Sequence, residues 1–107
     1  MRIKQNDIVL VPFPFTDLSS SKVRPALVVS KNLGDDFILC GISSKSSCVN
    51  EIQITNDDLS AGELPVRSFV KIGKIVTLHS SLIRRSVASV RKDVALRILK
   101  KLVAQFI

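Results

Sequence analysis

The sequence contains no tryptophan and no tyrosine, and its aromatic side chains are five phenylalanines. A surface on which nucleic-acid bases stack would therefore depend on phenylalanine alone. The two cysteines, Cys40 and Cys48, and the single histidine, His79, lack the spacing of zinc ligands and are too few to complete a zinc site. We expect small core or surface cysteines in a reducing cytoplasm, and neither a metal nor another cofactor.

Long hydrophobic runs are also missing, since no apolar stretch approaches the roughly 18 residues of a membrane-spanning helix. The residues before Ile8 are mostly polar, and the apolar stretch 8–15 is short and interrupted by Pro12 and Pro14, which is not the pattern of a signal peptide. We therefore expect a cytoplasmic protein without a membrane partner. With 107 residues, of which 46% are hydrophobic, the chain is expected to form one domain over 1–107 with one modest core.

Positive charge is concentrated in the last two fifths of the chain. Residues 67–107 contain ten Lys and Arg against one Asp, a net charge of +9, whereas residues 1–66 contain six against eight, a net charge of −2. Such a field attracts polyanions or acidic protein partners, although a solvated helix face would show the same composition.

The hydrophobic pattern predicts a mainly β fold with a C-terminal helix, and we expect a small twisted barrel because a sheet of this size must close or cover its edges. The predicted strands are 7–15, 26–30, 37–43, 50–55, 68–72 and 74–79, the last two separated by Gly73. A helix is predicted near the end of the chain, where apolar residues recur at spacings of one, three and four from Val94 to Phe106. Ser89 is its predicted N-cap.

Three stretches of the sequence are similar to one family. Residues 6–30 contain an Asp-Ile-Val strand, a variable loop and then Arg24-Pro25-Ala26-Leu27-Val28. Residues 40–45, Cys-Gly-Ile-Ser-Ser-Lys, form a small-residue strand ending in Ile-Ser, and residues 68–78 contain a Ser-Phe-Val segment followed by Ile-Val-Thr-Leu. This pattern resembles the MazF/PemK-like toxins of type II toxin–antitoxin systems over nearly the whole chain.

The resemblance implies an SH3-like barrel with a C-terminal helix, of the MazF/PemK/CcdB-like kind, in a symmetric homodimer. It implies a metal-independent endoribonuclease that cleaves single-stranded RNA, chiefly mRNA. The 2′-hydroxyl would attack the adjacent phosphate and leave a 5′-hydroxyl product. It further implies a partner, an acidic antitoxin that neutralises the toxin.

The resemblance also places the candidate catalytic residues. Arg24 matches the family's Arg-Pro position, where a guanidinium can stabilise the charge of the transition state. Ser43 matches the family's Thr or Ser at a strand end, and Ser44 is the alternative by one position. An Arg24 that pairs structurally with a carboxylate such as Asp17 is the competing interpretation.

The loop 13–23 is expected to border the RNA groove. The candidate RNA-binding residues are Phe13, Thr16, Lys22, Lys45, Lys71 and His79. Phe13 either stacks on a base or packs in the core, and His79 is also a candidate general base because its ordinary pKa is near neutrality.

Several positions depart from the family pattern: Asn6 stands for Gly, Ser residues stand for the Glu often seen in the loop before Arg24, Lys71 stands for Arg and Gly73 for Asp. The departures at Lys71 and Gly73 keep open a non-catalytic binding toxin of the same fold, such as a gyrase-type inhibitor. A nucleic-acid-binding regulator is a further alternative. A regulator is less favoured, because the predicted helix has an apolar stripe suited to core packing and lacks a recognition-helix motif.

Overall fold

In the residues that the computed structural model describes, 2–12 and 22–107, seven strands form one antiparallel sheet. The strands are β1 (Asp7–Pro12), β2 (Val23–Val28), β3 (Asp36–Ser43), β4 (Glu51–Ile54), β5 (Leu59–Gly62), β6 (Ser68–His79) and β7 (Arg85–Val90). The helix α1 is Lys92–Ala104, and short 3-10 helices are Asn56–Asp58 and Ser80–Leu82. The strand order is β4-β6-β3-β2-β1-β7-β5. This curled half-barrel with one C-terminal helix confirms the predicted fold class.

Apolar side chains cover both faces of the sheet. Ile8 and Leu27 belong to the cluster that packs under α1, together with Ile98 of the helix. Their neighbours Val9 and Val28 belong to a second cluster on the other face. Consecutive strand residues point to opposite faces, so the continuous apolar run of β2 fits a strand that is buried on both sides. The amphipathic helix docks on the sheet, as its pattern predicts.

The strand predictions were wrong in four places. The strand predicted over 26–30 is β2, which begins at Val23 because 23–25 pair with β1. Gly73 does not separate two strands, because the single strand β6 continues from Ser68 to His79. The strands β5 and β7 were not predicted, since Leu-Ser-Ala-Gly and Arg-Ser-Val-Ala-Ser-Val are rich in small residues of modest strand propensity. Their strand conformation comes from pairing with each other and with β1, which a local pattern does not reveal.

Among residues 2–12 and 22–107, no helix has the length and apolar character that a membrane span requires.

The helix begins two residues later than predicted. Its N-cap is Arg91, whereas Ser89 lies in β7 and donates a hydrogen bond of 2.7 Å from its hydroxyl to Oδ1 of Asp7. Asp7 is 1% exposed and also accepts from Lys4 Nζ at 2.9 Å. The serine therefore donates a hydrogen bond to a buried carboxylate instead of capping the helix.

Asn6 preserves the turn that glycine would form before Asp7. Its φ of 79° lies in the left-handed region, which asparagine enters more readily than most residues. Its backbone N–H donates to the carbonyl of Val28 at 2.9 Å, which fixes the start of β1 against β2. This departure from the family pattern therefore leaves the first turn intact.

The two free cysteines differ sharply in accessibility. Cys40 is buried in β3, and burial raises the pKa of its thiol to about 12, whereas Cys48 is exposed in the loop after β3. Because the thiolate is the reactive species, we expect iodoacetamide to alkylate Cys48 alone in the native protein. Intact-mass spectrometry should show one adduct, and none on Cys48→Ser until denaturant is added. Two adducts under native conditions would contradict the burial of Cys40.

Candidate functional site

A cleft of about 950 Å³ opens at one end of the sheet. Strands β1, β2, β3, β6 and β7 contribute to it, and the segment 63–66, which follows β5, also lines it. The polar and charged side chains that line the cleft are Arg24, Ser43, Ser44, Lys45, Glu63, Ser68, Arg85 and Ser86. Three cations against one carboxylate make the described part of this surface positively charged, which favours an anionic ligand.

The register of β2 and β3 places Arg24 and Ser43 at the same end of their ladder. Ala26 pairs with Gly41. Arg24 precedes Ala26 by two residues and Ser43 follows Gly41 by two, so the antiparallel arrangement takes both toward the cleft. Arg24 is exposed and also pairs with Val11 of β1 through its backbone. The two residues with predicted catalytic roles, 19 positions apart in sequence, therefore line one cleft.

Ser43 is half-buried at the last position of β3, and its Oγ accepts a hydrogen bond of 3.1 Å from the backbone N–H of Lys45. This bond uses a lone pair of the hydroxyl and leaves its proton for donation to a ligand. It also fixes the turn that presents Ser44 and Lys45, both exposed, to the cleft. The arrangement thus offers hydroxyl donors beside a guanidinium.

Four of the predicted site residues come together in this cleft: Arg24, Ser43, Ser44 and Lys45. Lys22 is exposed but does not line the described part of the cleft. The predicted RNA-binding residues Phe13 and Thr16 lie outside the described residues, as does Asp17, the suggested partner of Arg24.

Lys71 does not line the cleft; it braces the loop that follows Ser43. Its Nζ lies 2.6 Å from Oε1 of Glu51, and the two side chains are 12% and 10% exposed. The Glu51 carboxylate also accepts from the hydroxyl of Ser46 at 2.5 Å and from the backbone N–H of Ser47 at 2.8 Å. The pair therefore ties the loop between β3 and β4 to β6. Gly73 lies beside the same loop, because a Cβ built on it would be 3.9 Å from the side chain of Asn50, an ordinary contact distance. Lys71 and Gly73, the two departures from the family pattern in β6, therefore both lie next to this loop.

The same bonds predict how stability depends on pH. The bonds to Glu51, chiefly from Lys71 and then from Ser46 and Ser47, lower the pKa of its carboxyl from 4.5 to about 2. Because the folded-state pKa is the lower one, the carboxylate stabilises the fold above about pH 4.5, and this contribution is lost as pH falls toward 2. The difference in urea midpoint between wild type and Glu51→Gln should be largest at pH 7 and shrink toward pH 2. A difference that is independent of pH would contradict this role.

His79 lies far from the cleft. Its backbone pairs with that of Asp36, the first residue of β3. Asp36 lies seven residues, or about 23 Å along the strand, from Ser43. Its Nδ1 accepts a hydrogen bond of 3.1 Å from the backbone N–H of Ser81 and caps the 3-10 helix there. The histidine therefore has a local structural role.

Sequence reasoning missed four polar or charged cleft residues: Glu63, Ser68, Arg85 and Ser86. Ser68 begins β6, whereas the other three belong to β7 or follow β5, the two strands that the hydrophobic pattern did not reveal. The only signal was the pair of adjacent arginines, 84 and 85, in the basic part of the chain. The cations of α1 do not line the cleft, and neither does Arg91, the N-cap of α1, which pairs with Asp93 at 3.0 Å. The charge concentration in the sequence thus brings only Arg85 to the cleft.

Comparisons with known proteins agree on one family. A sequence model described as PemK-like, MazF-like toxin of type II toxin–antitoxin system matches residues 4–106. No curated protein matches the sequence significantly. Among solved structures, MazF from Deinococcus radiodurans has a TM-score of 0.76 at 19% identity, over 99% of this chain and 97% of that one.

Two mycobacterial structures have the same fold. The Mycobacterium tuberculosis toxin MazF-mt6 has a TM-score of 0.73 at 12% identity, over 94% of this chain and 95% of that one. An endoribonuclease in complex with its cognate antitoxin, from a mycobacterial species, has a TM-score of 0.67 at 15% identity, over 96% and 90%. At these identities the likeness shows the fold alone. The family match covers nearly the whole sequence, and the chain belongs to the PemK-like, MazF-like toxins of type II toxin–antitoxin systems.

Proposed function

We propose that this protein is a toxin-type endoribonuclease that cleaves single-stranded RNA, chiefly mRNA, without a metal ion. The observation that carries the proposal is the meeting of Arg24 and Ser43 in one positively charged cleft. Family membership supports the same function, because MazF-like toxins are typically endoribonucleases.

The proposed reaction uses the substrate's own nucleophile. The 2′-oxygen forms a bond to the adjacent phosphorus and loses its proton to a base, while the bond from phosphorus to the 5′-oxygen breaks and that oxygen gains a proton. The products are a 2′,3′-cyclic phosphate and a 5′-hydroxyl end. Negative charge accumulates on the phosphorus oxygens in the transition state, so a fixed cation beside them lowers the barrier.

We assign Arg24 the role of stabilising that negative charge. Its guanidinium is permanently protonated and can donate two parallel hydrogen bonds to a phosphate. The Ser43 hydroxyl donates a further hydrogen bond to a phosphate oxygen or orients the 2′-hydroxyl, with Ser44 as the alternative. Glu63 is the one carboxylate that lines the described part of the cleft, which makes it the first residue to test as the acceptor of the 2′-hydroxyl proton.

An acidic antitoxin is the proposed protein partner. A cleft whose described part has three cations and one carboxylate is complementary to an acidic segment, which would compete with RNA for the same surface. One of the similar structures is an endoribonuclease with its cognate antitoxin, which supports a partner of this kind. We include in the proposal a symmetric homodimer that acts in the cytoplasm.

The test is incubation of the purified protein with several long single-stranded RNAs in excess EDTA. We expect discrete fragments whose new 5′ ends accept phosphate from polynucleotide kinase without prior phosphatase treatment. The acidic antitoxin, added at equimolar concentration, should suppress the cleavage. If folded protein leaves every RNA intact, the endoribonuclease proposal is wrong and a binding toxin becomes the better hypothesis.

A further inference from the structure

Arg85 is a charged residue of the cleft for which the proposed reaction has no role so far. It occupies the first position of β7, is exposed, and lines the cleft that also contains Arg24 and Ser43. We infer that Arg85 forms a second phosphate-binding position, which holds the RNA backbone beside the phosphodiester that Arg24 contacts. This inference rests on the proposed function, because its ligand is the same single-stranded RNA.

The guanidinium of Arg85 has its hydrogen-bonding capacity available. Among the residues that the structure describes, none accepts a hydrogen bond from it and none forms an ion pair with it. Arg91, by contrast, donates to both carboxylate oxygens of Asp93 and to the carbonyl of Asp57. Five N–H donors on a residue that lines an open cleft favour an anion with several acceptor oxygens, and phosphate fits a guanidinium in two-point contact.

The sheet topology separates the two arginines by a distance suited to different phosphates. Arg24 pairs with Val11 and Arg85 pairs with Leu10, so they lie on the two strands that flank β1. Strands lie about 4.8 Å apart, so the two backbones are about 10 Å from each other. Val11 and Leu10 are consecutive residues of β1, so the alternation of side chains along a strand also places Arg24 and Arg85 on opposite faces of the sheet. With Arg24 at the reacting phosphate, Arg85 is therefore placed to contact a neighbouring part of the RNA backbone rather than the same oxygens.

The adjacent residue provides a matched control. Arg84 carries the same charge and is also exposed, but it does not line the cleft. Its backbone N–H donates to the carbonyl of Leu10 at 2.8 Å, a bond that an alanine at position 84 retains. Arg84→Ala and Arg85→Ala therefore change net charge equally, one residue apart, and differ in whether the lost guanidinium faces the cleft.

The experiment measures binding without cleavage. The probe is a fluorescein-labelled pool of single-stranded oligodeoxynucleotides, which keep the phosphates but lack the 2′-hydroxyl that the reaction needs. Anisotropy titrations over a range of salt concentrations give the dissociation constant and its salt slope for wild type, Arg85→Ala, Arg85→Lys and Arg84→Ala. Thermal melting of each variant confirms that it is folded.

Arg85→Ala should weaken binding about tenfold at low salt, and the plot of log affinity against log salt should become shallower by about 0.7. Arg85→Lys should keep the slope while binding more weakly than wild type, because it retains the charge but loses the two-point contact. Arg84→Ala should bind within about twofold of wild type.

Equal effects of Arg84→Ala and Arg85→Ala would overturn the inference, since net charge alone would then explain them. Failure of the wild type to bind the pool would overturn it as well. The proposed function fails separately. If wild type binds the pool in an Arg85-dependent way but leaves every RNA intact, the phosphate position stands and the endoribonuclease does not.

Discussion

Arg24→Ala is expected to lower the rate of RNA cleavage by at least about 10²-fold, and by up to about 10³-fold, at saturating RNA. In the proposed reaction the guanidinium stabilises negative charge on the phosphorus oxygens, which increases from the ground state to the transition state. Loss of the guanidinium should therefore reduce kcat more than it raises KM. The substitution should leave the fold intact, because Arg24 is exposed and its pairing with Val11 is made through the backbone. Single-turnover cleavage of a defined RNA measures the effect.

Two further variants sharpen this test. Arg24→Lys keeps the charge but loses the planar pair of donors, so its rate should lie between those of wild type and Arg24→Ala. Arg84→Ala removes one positive charge outside the cleft and should cleave at close to the wild-type rate. Wild-type activity in a folded Arg24→Ala protein would remove Arg24 from the reaction and leave the cleft without its proposed central cation.

The parts of the fold that the sequence predicts are those with strong local patterns. The run 26–29 is apolar at every position, and its strand is buried on both faces. The stripe through Val94 and Ile98 has helical periodicity, and that face of α1 packs on the sheet. In both cases the residues alone determine which surface must be buried.

The missed parts depend on contacts between distant segments. β5 and β7 consist largely of small residues, and they become strands through pairing that joins Gly62 to Ala88 and Ile8 to Ala88. Glu63 and Arg85 reach the cleft because of this pairing, so no local pattern could identify them. Lys71, predicted to contact RNA, forms an ion pair with Glu51, 20 residues earlier, and does not line the cleft; its contact with RNA stays a prediction.

The predictions for Arg24 and Ser43 had a different basis. Each was chosen from a family pattern in its own segment, and the register of β2 and β3 then brings both to one cleft. That two separate patterns lead to one location supports the proposed site, and their roles stay predictions until the variants are measured.

Gly62→Ala is expected to have the largest effect on stability, because the cleft wall depends on a close approach of two backbones at this position. Gly62 has a φ of +75°, and a Cβ built there would lie 2.6 Å from Cα of Ala88 and closer still to the carbonyl oxygen of Val87. Backbone atoms of a paired strand cannot move aside as a flexible side chain can. We expect a loss of about 2–5 kcal/mol from the left-handed backbone and the steric overlap together.

Gly34→Ala separates these two contributions. Gly34 has nearly the same φ, +73°, but a Cβ there would meet no atom within 4 Å. Its substitution should therefore lower the free energy of unfolding by only about 1–2 kcal/mol, the cost of the backbone conformation alone. Urea unfolding of both variants measures the difference, and equal losses would show that β5 and β7 can separate without strain.

The consequence for the cleft follows from the position of Gly62 in the chain. It lies directly before Glu63 and opposite the strand that carries Arg85 and Val87, all of which line the cleft. An alanine at position 62 that is accommodated by moving β5 away from β7 should displace this wall. Under conditions where Gly62→Ala is still folded, we therefore expect weaker RNA binding than in Gly34→Ala, whose site lies in a turn outside the cleft. Unchanged binding in folded Gly62→Ala would show that the wall of the cleft does not depend on this close backbone approach.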